Sequence, residues 1–191
     1  MRDSLRDLKY HDRIPLRQKF LRLLWDVIYM TLFRPTPRWA LHGWRRMLLR
    51  IFGAQIGEGS KISPSCKIWA PWNLEVGNYT ALGDNVDCYN VAKVTIGSKV
   101  AISQRSFICG ASHEIDSLLR PLISRPITIG DHVWVASEVM LLPGINIGHG
   151  TVIAARSLVT KDMPCWFVCS GSPCRPVYKR IITKGPSLST V

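Results

Sequence analysis

The stretch from Phe107 to Asp116, FICGASHEID, sets a histidine at position 113 where a regular apolar pattern gives way to an irregular segment. Imidazole titrates near neutrality and can take a proton from an attacking hydroxyl, so a histidine held at the end of a rigid element has the chemistry of a general base. The same residue could equally be a polar side chain that closes a strand. Two more histidines, His132 and His149, lie in the patterned region. Three histidines converging on zinc would make a metal site of the γ-carbonic anhydrase kind, but these two follow aliphatic-Gly steps at turn-like positions without close pairing, so no metal is expected. The six cysteines (66, 88, 109, 165, 169, 174) are irregularly spaced and form no Cys-x-x-Cys pair. Small reduced thiols are expected, neither a disulfide frame nor a zinc clasp, in a chain that shows no signal peptide.

Elements must hold these residues, and the composition bounds them. A chain of 191 residues, 47% hydrophobic, has material for one ordinary core plus an appendage. The net charge of +12 is concentrated early: residues 1–50 hold twelve Lys and Arg against four Asp and Glu. Such a surplus fits solvated helix faces or an anionic membrane surface better than nucleic acid, which is not an expected partner. Leu16, Phe20, Leu24, Val27 and Thr31 recur at helical spacing, and the fourteen apolar-rich residues FLRLLWDVIYMTLF include Arg22 and Asp26. That is too short and too charged to span a bilayer, which needs about twenty nearly uncharged residues. Thr36 followed by Pro37 predicts the start of a second helix. It would place Trp44, Met47, Leu48 and Ile51 on one face, with Arg38, Arg45 and Arg46 elsewhere, and stop near Gly53. The apolar face of each helix is expected to pack on a core and the arginines to face solvent.

After Gly53 the apolar period changes from about 3.6 to six. Positions 56, 62, 68 and 74, then 76, 82, 88 and 94, then 96, 102 and 108, then 129, 135, 141, 147, 153 and 159 are Ile, Leu or Val except for Cys88. Aliphatic-Gly pairs at 56, 76, 96, 129 and 147 mark whole coils of three such sides, with one large excursion between 96 and 129. Four residues after each aliphatic stands a small or branched side chain (Ser60, Cys66, Thr80, Val86, Val100, Ser106, Ser112, Val133, Val139, Thr151, Ser157), as a narrow interior requires. Gly59, Asn85, Gly144, Gly150 and Asp162 stand where a corner needs a left-handed backbone. The pattern is that of a parallel β-helix built from hexapeptide repeats, in which stacked coils share one continuous core. Residues 1–53 are the helical segment, 54–164 the β-helix with a loop at 114–126, and 165–191 a tail.

The segments GDNVDCYNVAKVTIG, ISQRSFICGASHEID and IGDHVWVASEVMLLPGINIGHGTVIAARSLVTKDMP, followed by GSPCRPVYKR, resemble the bacterial hexapeptide O-acetyltransferases, and among them the colanic acid biosynthesis acetyltransferases. The resemblance spans roughly residues 45–180 and implies a left-handed β-helix. It also implies a homotrimer with sites shared between subunits, a cytoplasmic setting, and direct transfer from acetyl-CoA to a sugar hydroxyl in surface or exported polysaccharide synthesis.

By the same resemblance His113 is the general base and the 114–126 loop walls a neighbour's site. Glu114 stands where the family usually has Asp. Asn85 matches an acceptor-holding asparagine, though a coil corner explains it as well, and Asp87, Tyr89 and Asn90 lie in the same segment. For the donor, Ser137 would offer a backbone N–H to the thioester oxygen. Trp134, Ala155 and Thr160 would line the pantetheine, and Lys161 and Arg175 would meet the phosphates. N-acetylation of an amino sugar and a non-enzymatic trimeric scaffold remain alternatives, as does contact of the basic helices with a membrane surface.

Overall fold

The structure is a computed structural model that describes residues 15–183; residues 1–14, in the basic preface, and 184–191, in the tail, lie outside the described residues. From Gln55 the chain winds through short parallel strands on three faces. Face A stacks β1 (Gln55–Ile56), β4 (Leu74–Val76), β7 (Val94–Ile96), β12 (Ile127–Ile129) and β15 (Asn146–Ile147). Face B stacks β2 (Lys61–Ile62), β5 (Ala81–Leu82), β8 (Ala101–Ile102), β13 (Trp134–Val135) and β16 (Val152–Ile153), and face C stacks β3 (Lys67–Ile68), β6 (Asp87–Tyr89), β9 (Phe107–Cys109), β14 (Met140–Leu141) and β17 (Leu158–Val159). Each aliphatic-Gly step lands on face A, where Ile56, Val76, Ile96, Ile129 and Ile147 pair in register.

All the six-residue positions are buried, Cys88 included. The small positions between them are buried too, apart from Ser112, which is exposed on the excursion. Side chains alternate along a strand, so two inward residues per side is all a three-sided coil can accommodate, and the second must be small beside the corner. Of the anticipated left-handed corners, Gly59, Asn85, Gly144 and Gly150 have positive φ while Asp162 does not. Its carboxylate instead accepts from the Asn146 N–H, 2.7 Å away. Tyr79, Lys99, Arg105, Glu138, Arg156 and Trp166 take the left-handed conformation without a residue type that favours it. The stack over-determines these corners, as where the Arg105 and Glu138 N–H groups donate to carbonyls of the preceding coil.

The helical preface packs differently from its apolar periodicity. Helix α1 (Leu16–Ile28) runs into a π-helical turn over Tyr29–Phe33, and it buries Trp25, Tyr29 and Phe33. The expected packing line fails: Leu16, Phe20, Leu24, Val27 and Thr31 are exposed. Helix α2 starts at His42, not at Pro37. Thr36 Oγ1 donates to the Phe33 carbonyl (2.7 Å) and accepts from Arg45 (2.7 Å), so it caps no helix. On α2 the expectation holds only in part, since Leu48 is buried and Arg38 exposed as expected, but Arg45 is fully buried while Trp44, Met47 and Ile51 are exposed.

The cause is the open end of the β-helix. A terminal coil leaves carbonyls on three edges, and buried carbonyls need donors. Arg50 Nε donates to Ile56 O (3.1 Å), Arg45 Nε to Ile62 O (2.7 Å) and Trp25 Nε1 to Ile68 O (2.7 Å), one cap for each face. Arg46 adds a bond to Ser60 O at 2.9 Å.

Past the last coil, β18 (Phe167–Gly171) extends face B beside β16 and turns back as β19 (Cys174–Lys179), so the first part of the tail is a β-hairpin. The described cysteines are all free. Cys66, Cys88, Cys169 and Cys174 are buried, and burial pushes the Cys169 thiol up to about 11.

Candidate active site

The excursion leaves the edge between faces C and A directly after β9 and folds as an antiparallel hairpin of β10 (Ala111–His113) and β11 (Leu122–Ser124), so it begins three residues earlier than the sequence pattern indicated. Gly110 makes the exit possible, because a Cβ there would come within 2.9 Å of the Tyr89 carbonyl. His113 ends β10 with an exposed ring whose Nδ1 lies 2.6 Å from the Arg120 carbonyl oxygen. A carbonyl only accepts, so Nδ1 carries the proton and the neutral ring keeps its lone pair on Nε2, facing outward. The orienting group is thus the main chain of Arg120 across the hairpin. The Glu114 side chain is not a partner of the imidazole; its residue contributes an N–H to the Pro121 carbonyl at 3.0 Å. A main-chain partner has no side-chain signature, which is why the sequence does not announce it.

A groove of about 800 Å³ runs along face B toward its edge with face C, walled on one side by the β18–β19 hairpin. Trp134, Ser137 and Ala155 all line it, and Trp134 Nε1 donates to Ser103 Oγ at 3.2 Å. The N–H groups of Gln104, Ser137 and Ala155, stacked along this edge, donate to no main-chain carbonyl of the described chain, whereas their neighbours Ala136, Glu138, Ala154 and Arg156 all do. These are free donors over a surface of small side chains, suited to an extended ligand with acceptor oxygens. Arg180, Tyr178 and Ile181 close the groove, with Arg180 Nη1 held by Gly150 O (2.7 Å) and His132 O (3.1 Å). Of the two cations expected to meet the phosphates, neither Lys161 nor Arg175 is in the lining, whereas Arg180 is. Only the return of β19 along face B brings residue 180 there.

The remaining candidates divide between edges. Asn85 occupies the B–C edge with its N–H bound to Ser65 Oγ (3.0 Å) and its side chain exposed, one corner in a column with Arg105, Glu138 and Arg156. In that column Glu138 pairs with Arg105 and Arg156 at 2.7 Å each, which holds its carboxyl below the usual range. Asp87 and Tyr89 point outward from face C, half-buried, and burial raises the Asp87 carboxyl. Asn90 does not face a ligand. It is fully buried in the C–A edge, accepting from the Ala70 N–H (3.0 Å) and donating to the Ala70 carbonyl (2.6 Å).

Thr160 and Lys161 also lie on the C–A edge, five and six residues beyond Ala155 and so across the width of face C from it. Within one chain, therefore, the His113 edge and the groove edge are separate. His132 and His149 lie on yet another edge, between faces A and B, and His149 Nδ1 accepts from the Asp131 N–H at 2.9 Å. Among the described residues no three His, Cys, Asp or Glu side chains gather as metal ligands.

No family model matches the chain. Over 161 residues it is 42% identical to WcaF of Escherichia coli (strain K12), which carries a provisional assignment as a colanic acid biosynthesis acetyltransferase; the match covers 84% of this chain and 88% of the relative. The chain belongs to the hexapeptide-repeat acetyltransferase family. This acetyltransferase is also 34% identical over 136 residues to the galactoside O-acetyltransferase of E. coli (strain K12), covering 70% of this chain and 67% of that one. Its fold superimposes on the hexapeptide-repeat acetyltransferase VCA0836 of Vibrio cholerae, solved in complex with acetyl coenzyme A. There the TM-score is 0.81 and the identity 25%, with 91% of this acetyltransferase and 94% of the other chain covered.

Proposed function

We propose that the chain transfers the acetyl group of acetyl-CoA to a sugar hydroxyl in a bacterial exopolysaccharide or surface glycan, by direct attack with His113 as base. The observation that carries this reading is the Nδ1 contact to the Arg120 carbonyl, which leaves Nε2 as the free proton acceptor. Nε2 takes the hydroxyl proton as the sugar oxygen attacks the thioester carbon. The oxyanion forms against a main-chain N–H, with Ser137 the candidate donor. The C–S bond then breaks, and the imidazolium returns its proton to the departing CoA thiolate, so no acyl-enzyme is formed. The free N–H group of Ala155 suits an amide carbonyl of pantetheine, Trp134 supplies an apolar wall, Thr160 is a further candidate for the pantetheine, and Arg180 joins Lys161 and Arg175 as a candidate for the CoA phosphates. Asn85, Asp87 and Tyr89 are the candidates for holding the acceptor.

The reading includes a homotrimer. Base and groove lie on different edges of one prism, and placing the projecting hairpin of one copy over the groove of the next brings them together. Mixing decides this. His113→Ala and a groove-blocking Ala155→Trp variant, each inactive, regain activity when co-assembled if sites are shared, and stay inactive if each chain is self-sufficient. For the base itself, His113→Ala lowers kcat at least about a hundredfold with acetyl-CoA affinity nearly unchanged. Near-normal turnover would remove it from the mechanism.

The reading also places the enzyme in the cytoplasm, peripherally at the inner membrane face. Among the described residues no helix is long and apolar enough to cross a membrane. Yet the outward side of the preface carries Leu16, Phe20, Val27, Met30, Met47 and Ile51 exposed. Of the preface arginines, Arg45, Arg46 and Arg50 are engaged with carbonyls of the first coil. An apolar face beside a basic segment is the pattern of an interfacial helix pair.

A further inference from the structure

Between α1 and the outer surface of face C lies a cavity of about 370 Å³, distinct from the face B groove. Its floor is Trp69 and Tyr89, packed edge to face with ring centres 5.7 Å apart. The guanidinium of Arg22 stacks over the Trp69 ring at 4.1 Å, and its Nε is buried without a hydrogen-bond partner. Asp87 presents a half-buried carboxyl from one wall and Asp26 presents another from α1 at the mouth, where Lys67 also stands.

An orphaned buried donor is costly, at about 1–3 kcal/mol, and native proteins rarely leave one without a reason. The side chain that carries it lines a cavity at the lower end of the roughly 300–1,000 Å³ range of small-molecule sites. The charges decide what fits. Arg22 and Lys67 balance Asp26 and Asp87, so neither an anionic nor a cationic ligand gains net attraction. A polyhydroxylated ring meets both kinds of partner, with hydroxyl hydrogens for the carboxylates, hydroxyl oxygens for the Arg22 guanidinium, and a C–H face for the aromatic floor.

The location adds the functional link. Asp87 and Tyr89 on β6 pair with Phe107 and Cys109 on β9, the next coil, about 4.8 Å along the stack. The chain leaves Cys109 through Gly110 to reach His113. The cavity is thus on the same face, one coil before the hairpin that carries the base.

We infer that this cavity is a second carbohydrate subsite, which holds an uncharged pyranose unit adjoining the sugar presented to His113 and makes an oligosaccharide the preferred acceptor. Helix α1 is then a wall of the acceptor site as well as a cap. The inference rests on a sugar being the acceptor.

The test is a glycan array of neutral and uronic-acid mono- and oligosaccharides, probed with the full-length wild-type protein and with Asp26→Asn and Arg22→Lys. The second variant keeps the charge and removes the planar guanidinium stacked on Trp69. Melting curves and acetyl-CoA binding unchanged from wild type confirm that the variants fold. The expected result is retention of at least one neutral oligosaccharide over its component monosaccharides, with at least tenfold weaker binding by either variant. Retention of acidic glycans only, retention of none, or binding by both variants equal to that of wild type overturns the subsite. The two proposals fail separately. A glycan bound through Asp26 and Arg22 but never acetylated from acetyl-CoA would remove the catalytic reading alone, whereas acetylation of a glycan at undiminished rate and affinity in both variants would remove the subsite alone.

Discussion

Replacing Asn90 by alanine separates a structural from a ligand-binding role. Its Oδ1 and Nδ2 satisfy the N–H and carbonyl of Ala70, one coil away, and both residues are fully buried. The truncation strands one donor and one acceptor where no solvent reaches. Each stranded group costs about 1–3 kcal/mol, so the expected loss is about 4 kcal/mol. For a chain of this size, about 2–4 °C per kcal/mol puts the fall in Tm at roughly 8–16 °C. Guanidinium unfolding, followed by tryptophan fluorescence and circular dichroism at one fixed protein concentration, measures it, since the stability of an oligomer depends on concentration. Asn90→Asp should also destabilise, because a carboxylate can accept from the Ala70 N–H but cannot donate to its carbonyl. A loss below about 1 kcal/mol accompanied by a large rise in acceptor KM would refute the reasoning and return Asn90 to the acceptor site.

Three further outcomes are expected. Burial, and after it the charges of Arg45, Lys61 and Arg46, lower the pKa of His42 from its ordinary 6.5, and its Nδ1 lies 2.7 Å from Arg45 Nη2. The folded state therefore binds fewer protons than the unfolded chain just below pH 6.5, stability falls as pH drops through that window, and His42→Gln should flatten the decline in unfolding curves between pH 7 and 5. For Asp87 the sign reverses. Burial raises the carboxyl, so the folded state holds the proton better, stability falls as pH rises from about 3.8 through the folded pKa, and Asp87→Asn should melt higher than wild type at pH 7. In liposome flotation the intact protein should bind anionic vesicles in a salt-sensitive way, because each basic residue near the surface contributes about 1 kcal/mol. Polar substitution of Phe20 and Val27, both exposed, should abolish that binding without lowering Tm; no flotation of the intact protein would leave the preface as a cap only.

The coil architecture was legible before any coordinates because it is a local property. A side of six residues repeats its own burial requirement, so Ile56, Ile62 and Ile68 announce three faces whatever happens elsewhere, and the aliphatic-Gly steps count the coils. The interruption after residue 108 and the histidine at its start were legible for the same reason, as a break in a strict period. Periodicity could not say which side of a helix turns inward. Arg45 and Arg50 pack against the stack because the first coil ends in unpaired carbonyls at Ile56 and Ile62, a demand that exists only once the coil has closed. Nor could it place Arg180 in the groove, Asn90 inside the corner, or Thr160 an edge away from Ala155, since each depends on how far the chain has turned between residues close in sequence. The candidate base, His113, is written in one side chain. Its tautomer comes from the Arg120 carbonyl, which is oriented by the pairing of two strands across a loop and carries no mark in the sequence.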